Sequence, residues 1–174
     1  TAIVTSGDNK YFGDIIIPEK INYNSVEYNV TSIGDNAFSQ CKSLASVTLP
    51  NTLNTIENEA FRYCTALTSI TIPSSGTSIG DNAFEYCSSI NAVYISDIVA
   101  WCNIDLGWAS NPLSGNPDAK TTDLYLNNQK VTDLIIPESV TKIKNFTFFN
   151  CNLNSIVIPN SVTAIGYNAF DGCD

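Results

Sequence analysis

The chain has 174 residues, of which 8 are Lys or Arg and 17 are Asp or Glu, so its formal charge at pH 7 is −9. That charge disfavours binding to nucleic acid and to anionic lipid, because both depend on Lys and Arg. The sequence contains no His, which excludes a Ser-His-Asp triad, a Cys-His dyad and any His-containing zinc site within the chain. The length and the hydrophobic content of 44% are typical of a single globular domain, taken here as 1–174.

Neither end of the chain has the pattern of a targeting or membrane segment. The first residues, TAIVTSGDNKYFGD, lack a basic start and a long apolar core. No stretch of the sequence is apolar for long enough to span a bilayer, so we expect no direct membrane insertion from this part. Because the sequence begins without Met and stops within a repeat, we expect it to be a piece of a longer protein whose signal or anchor lies elsewhere.

A repeat of 23 residues organises most of the chain. Phe38, Phe61 and Phe84 are 23 residues apart, and the Ile and Cys residues around them keep the same spacing. One such unit cannot bury its own apolar face, whereas a stack of units can, so the pattern predicts a solenoid. The expected units are 13–44, 45–67, 68–90, 132–154 and 155–174.

Each unit begins with a short alternating strand such as SVTLP or SITIP, which ends at its Pro because Pro has no N–H. A second extended piece, such as NTI or TSI, points one Ile inward. The segment DNAFxxC then predicts a helical turn whose Ala, Phe and Cys face the core. Its first polar residue is expected to cap that turn, at Asp35, Asn58, Asp81 and Asn145. The strand residues expected to point inward are Val47, Leu49, Ile70, Ile72, Leu134, Ile136, Ile156 and Ile158.

The segment 97–122 breaks the register and is expected to be an irregular insertion. It holds both tryptophans, Trp101 and Trp108. They either plug a gap in the solenoid as a satellite core, which we favour because Trp is usually well buried, or form an exposed ligand platform. Ser96 is expected to cap a short helix that carries Ile98, Trp101 and Cys102.

Two hairpins are predicted beside the regular strands. The stretch INYNSVEYNV (21–30) is expected to turn near Asn24-Ser25, and TDLYLNNQKVTDLII is expected to turn at Asn127-Asn128. Asn tolerates the positive φ angles that a two-residue hairpin turn requires.

Five of the six cysteines occupy one repeat position, three residues after a Phe, so they are expected to form a column inside the solenoid. Free buried thiols are the favoured interpretation, since Cys packs as a small hydrophobe. A disulfide between neighbouring units is the alternative. The column consists of Cys41, Cys64, Cys87, Cys151 and Cys173, and Cys102 lies outside it.

The segments LTSITIPSSGTSIGDNAFEYC (67–87) and VTDLIIPESVTKI (131–143) closely resemble the bacterial BspA-like leucine-rich repeat family. The opening stretch GDIIIPEKINYNSVEYNVTSIGDNAFSQC resembles the first repeat of that family. The resemblance implies an α/β fold, a right-handed horseshoe or arc with a parallel sheet on its concave side. It also implies a secreted or surface-exposed bacterial protein, and some members of the family are adhesins.

The outward-facing strand positions are the candidate site. Side chains alternate on a strand, so the residue between two inward ones lines the open face of the sheet. This outward strip is either a shallow binding surface or a result of strand propensity, which favours Thr, Ile, Val and Tyr at exposed positions. Its members are Ile16, Thr48, Thr71, Tyr94, Tyr125, Ile135 and Val157.

The sequence favours a binding function over catalysis. It contains no nucleophile elbow, phosphate-binding loop or dinucleotide fingerprint, and it suggests no cofactor and no metal. We therefore predict a non-catalytic interaction module, secreted or on the cell surface, whose partners are extracellular or cell-surface proteins. The alternatives are glycan binding by Tyr94, Tyr125 and the tryptophans, or a structural spacer for another domain.

Overall fold

A computed structural model describes residues 1–7, 9–108, 111–114 and 121–173. They form short strands, one short α-helix and one 3-10 helix, Pro112–Ser114. The elements are β1 (Ala2–Val4), β2 (Phe12–Ile16), β3 (Lys20–Tyr23), β4 (Val26–Ile33), β5 (Ser43–Thr48), β6 (Thr55–Ile56), β7 (Ser69–Ile72), β8 (Ser78–Ile79), β9 (Ala92–Ile95), α1 (Ile98–Asn103), β10 (Asp105–Leu106), β11 (Asp123–Leu126), β12 (Gln129–Lys130), β13 (Asp133–Ile135), β14 (Lys142–Ile143), β15 (Ser155–Val157) and β16 (Ala164–Ile165). The helix is too short to cross a membrane, and no described helix is long and apolar enough to do so.

The chain is a β-solenoid in which each rung contributes a first strand, a second strand and a turn segment. The first strands pair in parallel as β2–β5, β7–β9–β11 and β13–β15. The second strands pair in parallel as β4–β6–β8–β10, an uninterrupted stretch of about four turns, and again as β14–β16. Each residue thus lies beside its counterpart one repeat away, for example Ile33 beside Ile56 and Ile56 beside Ile79, which confirms the predicted repeat.

The core consists of columns of identical side chains. Phe38, Phe61 and Phe84 are almost fully buried, and their rings stack with centroid separations of 5.0 and 5.2 Å. The predicted inward residues of the strands are buried with two exceptions. Ile156 and Ile158 of the last rung are 36% and 37% exposed, because no described rung packs on their far side.

The DNAFxxC segments form consecutive β-turns, so the predicted helical turns, and with them the α/β detail of the fold, are not confirmed. In the first rung the N–H groups of Ala37, Ser39 and Cys41 each donate to the carbonyl three residues earlier, whereas those of Asn36, Phe38 and Gln40 donate to the next rung. A helix would need all of these groups for its own bonds. The turns instead place Asn36 and Gln40 at φ angles of 57° and 61°.

The predicted caps bind across rungs. The side-chain oxygen of Asp35 accepts from the N–H of Asn58 at 3.0 Å, and that of Asn58 accepts from the N–H of Asp81 at 2.8 Å. Asn145 accepts from the N–H of Tyr167 in the same way. These side chains therefore satisfy backbone donors of the following rung and hold successive rungs in register.

The segment predicted as an irregular insertion supplies one regular strand. β10 pairs with β8 in the register of the other second strands. The helix before it, α1, is capped by Asp97, whose carboxylate accepts from the N–H groups of Val99 and Ala100, rather than by Ser96. Both predicted hairpins are confirmed, because β3 pairs with β4 around Asn24-Ser25 and β11 pairs with β12 around Asn127-Asn128, with positive φ at all four turn residues.

The hairpin β11–β12 leaves its rung incomplete. After β11 the chain turns back and continues directly into β13, so this rung adds a first strand but no second strand. As a result β10 and β14 are not hydrogen-bonded to each other. Trp101 of α1 is 1% exposed and its indole N–H donates to the carbonyl of Thr147 at 3.0 Å, so the helix fills the interior side of this gap.

Candidate functional site

The residues of the outward strip lie side by side wherever their strands pair. Ile16 is opposite Thr48, and Ile135 is opposite Val157. The middle of the strip is continuous, since Tyr94 has Thr71 on one side and Tyr125 on the other. Tyr125 lies in the strip because its hairpin strand, β11, pairs in parallel with β9.

Apolar members of the strip lie towards its two ends. Ile16 is 79% exposed, Ile135 is 69% exposed and Val157 is 56% exposed. In the middle, Tyr94 and Tyr125 are half-buried and stack on each other with centroids 4.7 Å apart.

The strip is divided at two places. β5 and β7 do not pair, so Thr48 and Thr71 are not ladder neighbours. Between Tyr125 and Ile135, β12 runs antiparallel beside β11 and does not pair with β13.

A column of polar residues runs beside the outward strip, two residues earlier on each strand. The hydroxyl of Ser46 donates to Asp14 at 2.6 Å, and that of Ser155 donates to Asp133 at 2.5 Å. Asp123 pairs with Lys130 at 2.8 Å. Because these carboxylates are already hydrogen-bonded within the sheet, the face beside the strip is pre-ordered.

Four of the six thiols are poorly suited to act as nucleophiles. None of the six cysteines forms a disulfide, and four of the five column members are buried as predicted, whereas Cys173 in the last rung is only partly buried. Cys102, outside the column, is buried as well. Burial raises the pKa of Cys102 to about 12 and that of Cys151 to about 12, and it also raises the pKa of Cys41. The pKa of Cys64 is raised by its contact with the Cys87 thiol and then by burial. A reactive thiol needs a lowered pKa and access to solvent, and these four have neither.

Several carboxylates are engaged in structural bonds. Glu57 accepts from the hydroxyl of Ser32 at 2.7 Å, and Arg62 bridges Glu59 and Glu85 at 3.1 and 2.6 Å. Within the described ranges, no three Cys, Asp or Glu side chains come together in a way that could hold a metal ion.

The two tryptophans have different environments. Trp101 is core, as favoured, but Trp108 is 66% exposed. Trp108 belongs to a cluster that sequence reasoning missed. Its ring packs in a T-shaped arrangement with the ring of Phe146, with the centroids 5.9 Å apart. The ring of Tyr167 packs with Phe146 in the same way, with the centroids 5.7 Å apart. The signal was present, because Trp108 and Tyr167 stand at the position where other repeats have Asp or Asn.

Comparison with known proteins identifies the repeat. The family model described as "BspA type Leucine rich repeat region" matches in six copies, over residues 10–103 and 121–174. The crystal structure of a leucine-rich repeat protein from T. pallidum is 21% identical, with a TM-score of 0.57, and the match covers 98% of this chain and 80% of that one.

A leucine-rich cell surface protein from Faecalibacterium prausnitzii is also 21% identical, with a TM-score of 0.34 over 99% of this chain and 70% of that one. No curated protein matches the chain. The family match extends over well more than half of the sequence, and it coincides with the rungs described above. The chain therefore belongs to the BspA-type leucine-rich repeat family.

Proposed function

We propose that this chain is a non-catalytic interaction module that binds extracellular or cell-surface proteins through the outward strip. The observation that carries the proposal is the lateral alignment of exposed Ile, Val, Thr and Tyr side chains on strands held by backbone ladders. The strands exist before any partner arrives, so binding would not require ordering of the backbone. Many shallow contacts on a rigid surface can then give useful affinity.

Secretion or display on a cell surface, and a role as an adhesin, form the second part of the proposal. They rest on the membership of the chain in the BspA-type family. Antibody labelling of intact cells of the source organism tests the location. Labelling only after permeabilisation would contradict it.

The strip is tested by placing charge on it. We expect the double variant Tyr94→Asp/Ile135→Asp to lose at least about tenfold in affinity, because carboxylates placed in an apolar contact must be desolvated. The measurement is surface plasmon resonance against a panel of extracellular-matrix and mucosal proteins. Val26→Asp, at an exposed residue outside the strip, is the matched control.

Each result decides a different point. Binding by the unaltered chain and by Val26→Asp, but not by the double variant, supports the strip. Equal binding by all three would place the interface elsewhere. No binding to any protein of the panel would instead favour the spacer alternative.

A further inference from the structure

An open groove lies on the outside of the solenoid along β10, β14 and β16. It lies between β10 and β14, where the hairpin rung contributes no second strand. The groove has a volume of about 300 Å³, at the lower end of the range for small-molecule sites. We call it the β10–β14 groove, and it is lined by Asp105, Leu106, Lys142, Ile143, Lys144 and Asn145, with Ala164, Ile165 and Gly166 beyond them.

The groove presents hydrogen-bonding backbone on both sides. The N–H groups of Asp105 and Gly107 donate to β8, so the peptide groups of Leu106 between them point the other way, into the groove. On the far side, the carbonyls of Thr141 and Ile143 accept hydrogen bonds from N–H groups of the rung that contains β16. The N–H and the carbonyl of Lys142, between them, therefore face the groove. Such edges offer both donors and acceptors to a polar ligand.

Charged side chains stand on the walls. Lys144 crosses the groove to Asp105, with its ammonium 2.5 Å from a carboxylate oxygen. Lys142 is exposed and has no ion-pair partner among the residues that the structure describes. Two lysines against one aspartate give this groove a local excess of positive charge in a chain whose net charge is −9.

Three aromatic residues form a rim beside the groove, directly after its lining segments. The aromatic rim consists of Trp108, Phe146 and Tyr167. Trp108 and Tyr167 are 66% and 65% exposed, yet both rings are fixed against Phe146. Their backbones are also fixed, since the N–H of Trp108 donates to Asp81 at 2.7 Å and that of Tyr167 donates to Asn145 at 2.8 Å.

The fold does not require these aromatic side chains. At the same position, Asp35, Asn58 and Asp81 accept hydrogen bonds from the next rung. Trp108 and Tyr167 have no carboxylate or amide oxygen with which to do so. The second strand that would follow β10 is missing, and no described rung follows β16, so no backbone N–H is left without an acceptor at Trp108 or Tyr167. The position therefore tolerates a large ring, and Trp108 exposes an apolar surface beside the groove, an arrangement typical of a binding surface.

We propose that the β10–β14 groove and the aromatic rim bind a saccharide that carries a carboxylate, as uronic acids do. The apolar C–H face of a sugar ring stacks on Trp108 or Tyr167, whose ring faces carry negative potential. The sugar carboxylate pairs with Lys142. Hydroxyl groups bond to the peptide groups of Leu106 and Lys142 and to the Lys144–Asp105 pair.

An extended peptide inserted as the missing strand fits less well. The flanking strands β10 and β14 have two residues each, so they provide few ladder bonds. In addition, the Lys144–Asp105 pair lies across the path that a continuous strand would take.

The probes are hyaluronan hexasaccharide and hexagalacturonate, with cellohexaose as the neutral comparison, and tryptophan fluorescence is the readout. Trp101 is buried and Trp108 is exposed, so the change in fluorescence reports the rim. We expect both acidic oligosaccharides to bind more tightly than cellohexaose, and binding to weaken with added salt. Calorimetry on the same samples provides affinities that do not depend on fluorescence.

Three variants identify the groups involved. Trp108→Ala is expected to weaken binding at least about tenfold, which is the scale of one lost aromatic contact with its buried area. Lys142→Gln is expected to weaken binding of the acidic oligosaccharides only. Tyr94→Ala, in the outward strip, is the control and is expected to bind normally, which also keeps this test independent of the proposed protein-binding strip.

The proposal is overturned by any of three results. These are no binding of either acidic oligosaccharide, undiminished affinity in Trp108→Ala with its fold intact by circular dichroism, or equal affinity for cellohexaose and the acidic probes. Loss of binding in Tyr94→Ala alone would move the sugar site to the strip.

Discussion

Asn58 shows how a single side chain joins three rungs. Its side-chain oxygen accepts a hydrogen bond from the backbone N–H of Asp81, and its backbone N–H donates to the carboxylate of Asp35. The sequence correctly marked this position as a capping residue. It could not show that the bond goes to the next rung, because the same residue types serve a cap within a turn and a bridge between turns.

We expect Asn58→Ala to lower the free energy of unfolding by about 1 kcal/mol, because the N–H of Asp81 then lacks its partner. Asn58→Asp keeps an acceptor oxygen and is expected to have a smaller effect. Urea denaturation measures both. Asn51→Ala, which removes only a 3.4 Å contact to Glu19, is the control, and a larger loss there than at Asn58 would contradict the role of the ladder.

For single residues, burial in the core was easier to predict than exposure to solvent. The spacing of Phe and Cys places them in the core because an apolar column can only stack inward. The general tendency of Trp to be buried was right for Trp101 and wrong for Trp108, which is exposed. The exposure of Trp108 depends on the incomplete rung beside it, and the local pattern that predicted the hairpin did not show that this rung would lack a second strand.

Among the elements, the turn segments differ most from expectation. The spacing of Ala, Phe and Cys in DNAFxxC suits a helical turn, yet every second N–H bonds to the next rung. The Asn after the first polar residue, as at Asn36 and Asn82, was a signal for the positive φ that these turns require. Tyr63 and Tyr86 also have a positive φ, although Tyr gives no such signal in the sequence. Their rings stack on each other, and this contact between rungs offsets the unfavourable backbone conformation.

The hairpin β11–β12 is the element that opens the groove, and its turn depends on Asn127 and Asn128 at φ angles of 51° and 64°. We expect Asn128→Val to lower the free energy of unfolding by about 1–2 kcal/mol, since a β-branched residue is strained in the left-handed region. Gln129→Val, one residue later on an exposed strand position, is expected to be tolerated. Chemical denaturation of the two variants decides this, and equal losses would show that the turn angles do not control the hairpin.

Across the whole molecule, the buried thiols couple stability to alkaline pH. Burial raises the pKa of Cys102 from an ordinary value of 9.0 to about 12. In the unfolded chain the thiol ionises above its ordinary pKa, whereas in the folded protein it stays protonated. The unfolded state therefore binds fewer protons between these two values, and the stability that depends on the neutral thiol is present below pH 9 and lost as pH rises towards 12.

We expect the difference in unfolding free energy between the unaltered chain and Cys102→Ala to shrink by about 1.4 kcal/mol per pH unit above pH 9. Ile104→Val, which removes a buried methylene from a neighbouring position without removing a titrating group, is expected to keep a constant difference. Guanidinium denaturation from pH 7 to 11 measures both. Parallel curves for the unaltered chain and Cys102→Ala would contradict the raised pKa.

The ladder of identical contacts has a consequence for how such a chain changes length over generations. At the capping position, each regular rung donates a backbone N–H to the rung before it and accepts one from the rung after it, as Asn58 does between Asp35 and Asp81. A duplicated stretch of gene that encodes one 23-residue unit therefore adds a rung whose two faces already match their neighbours.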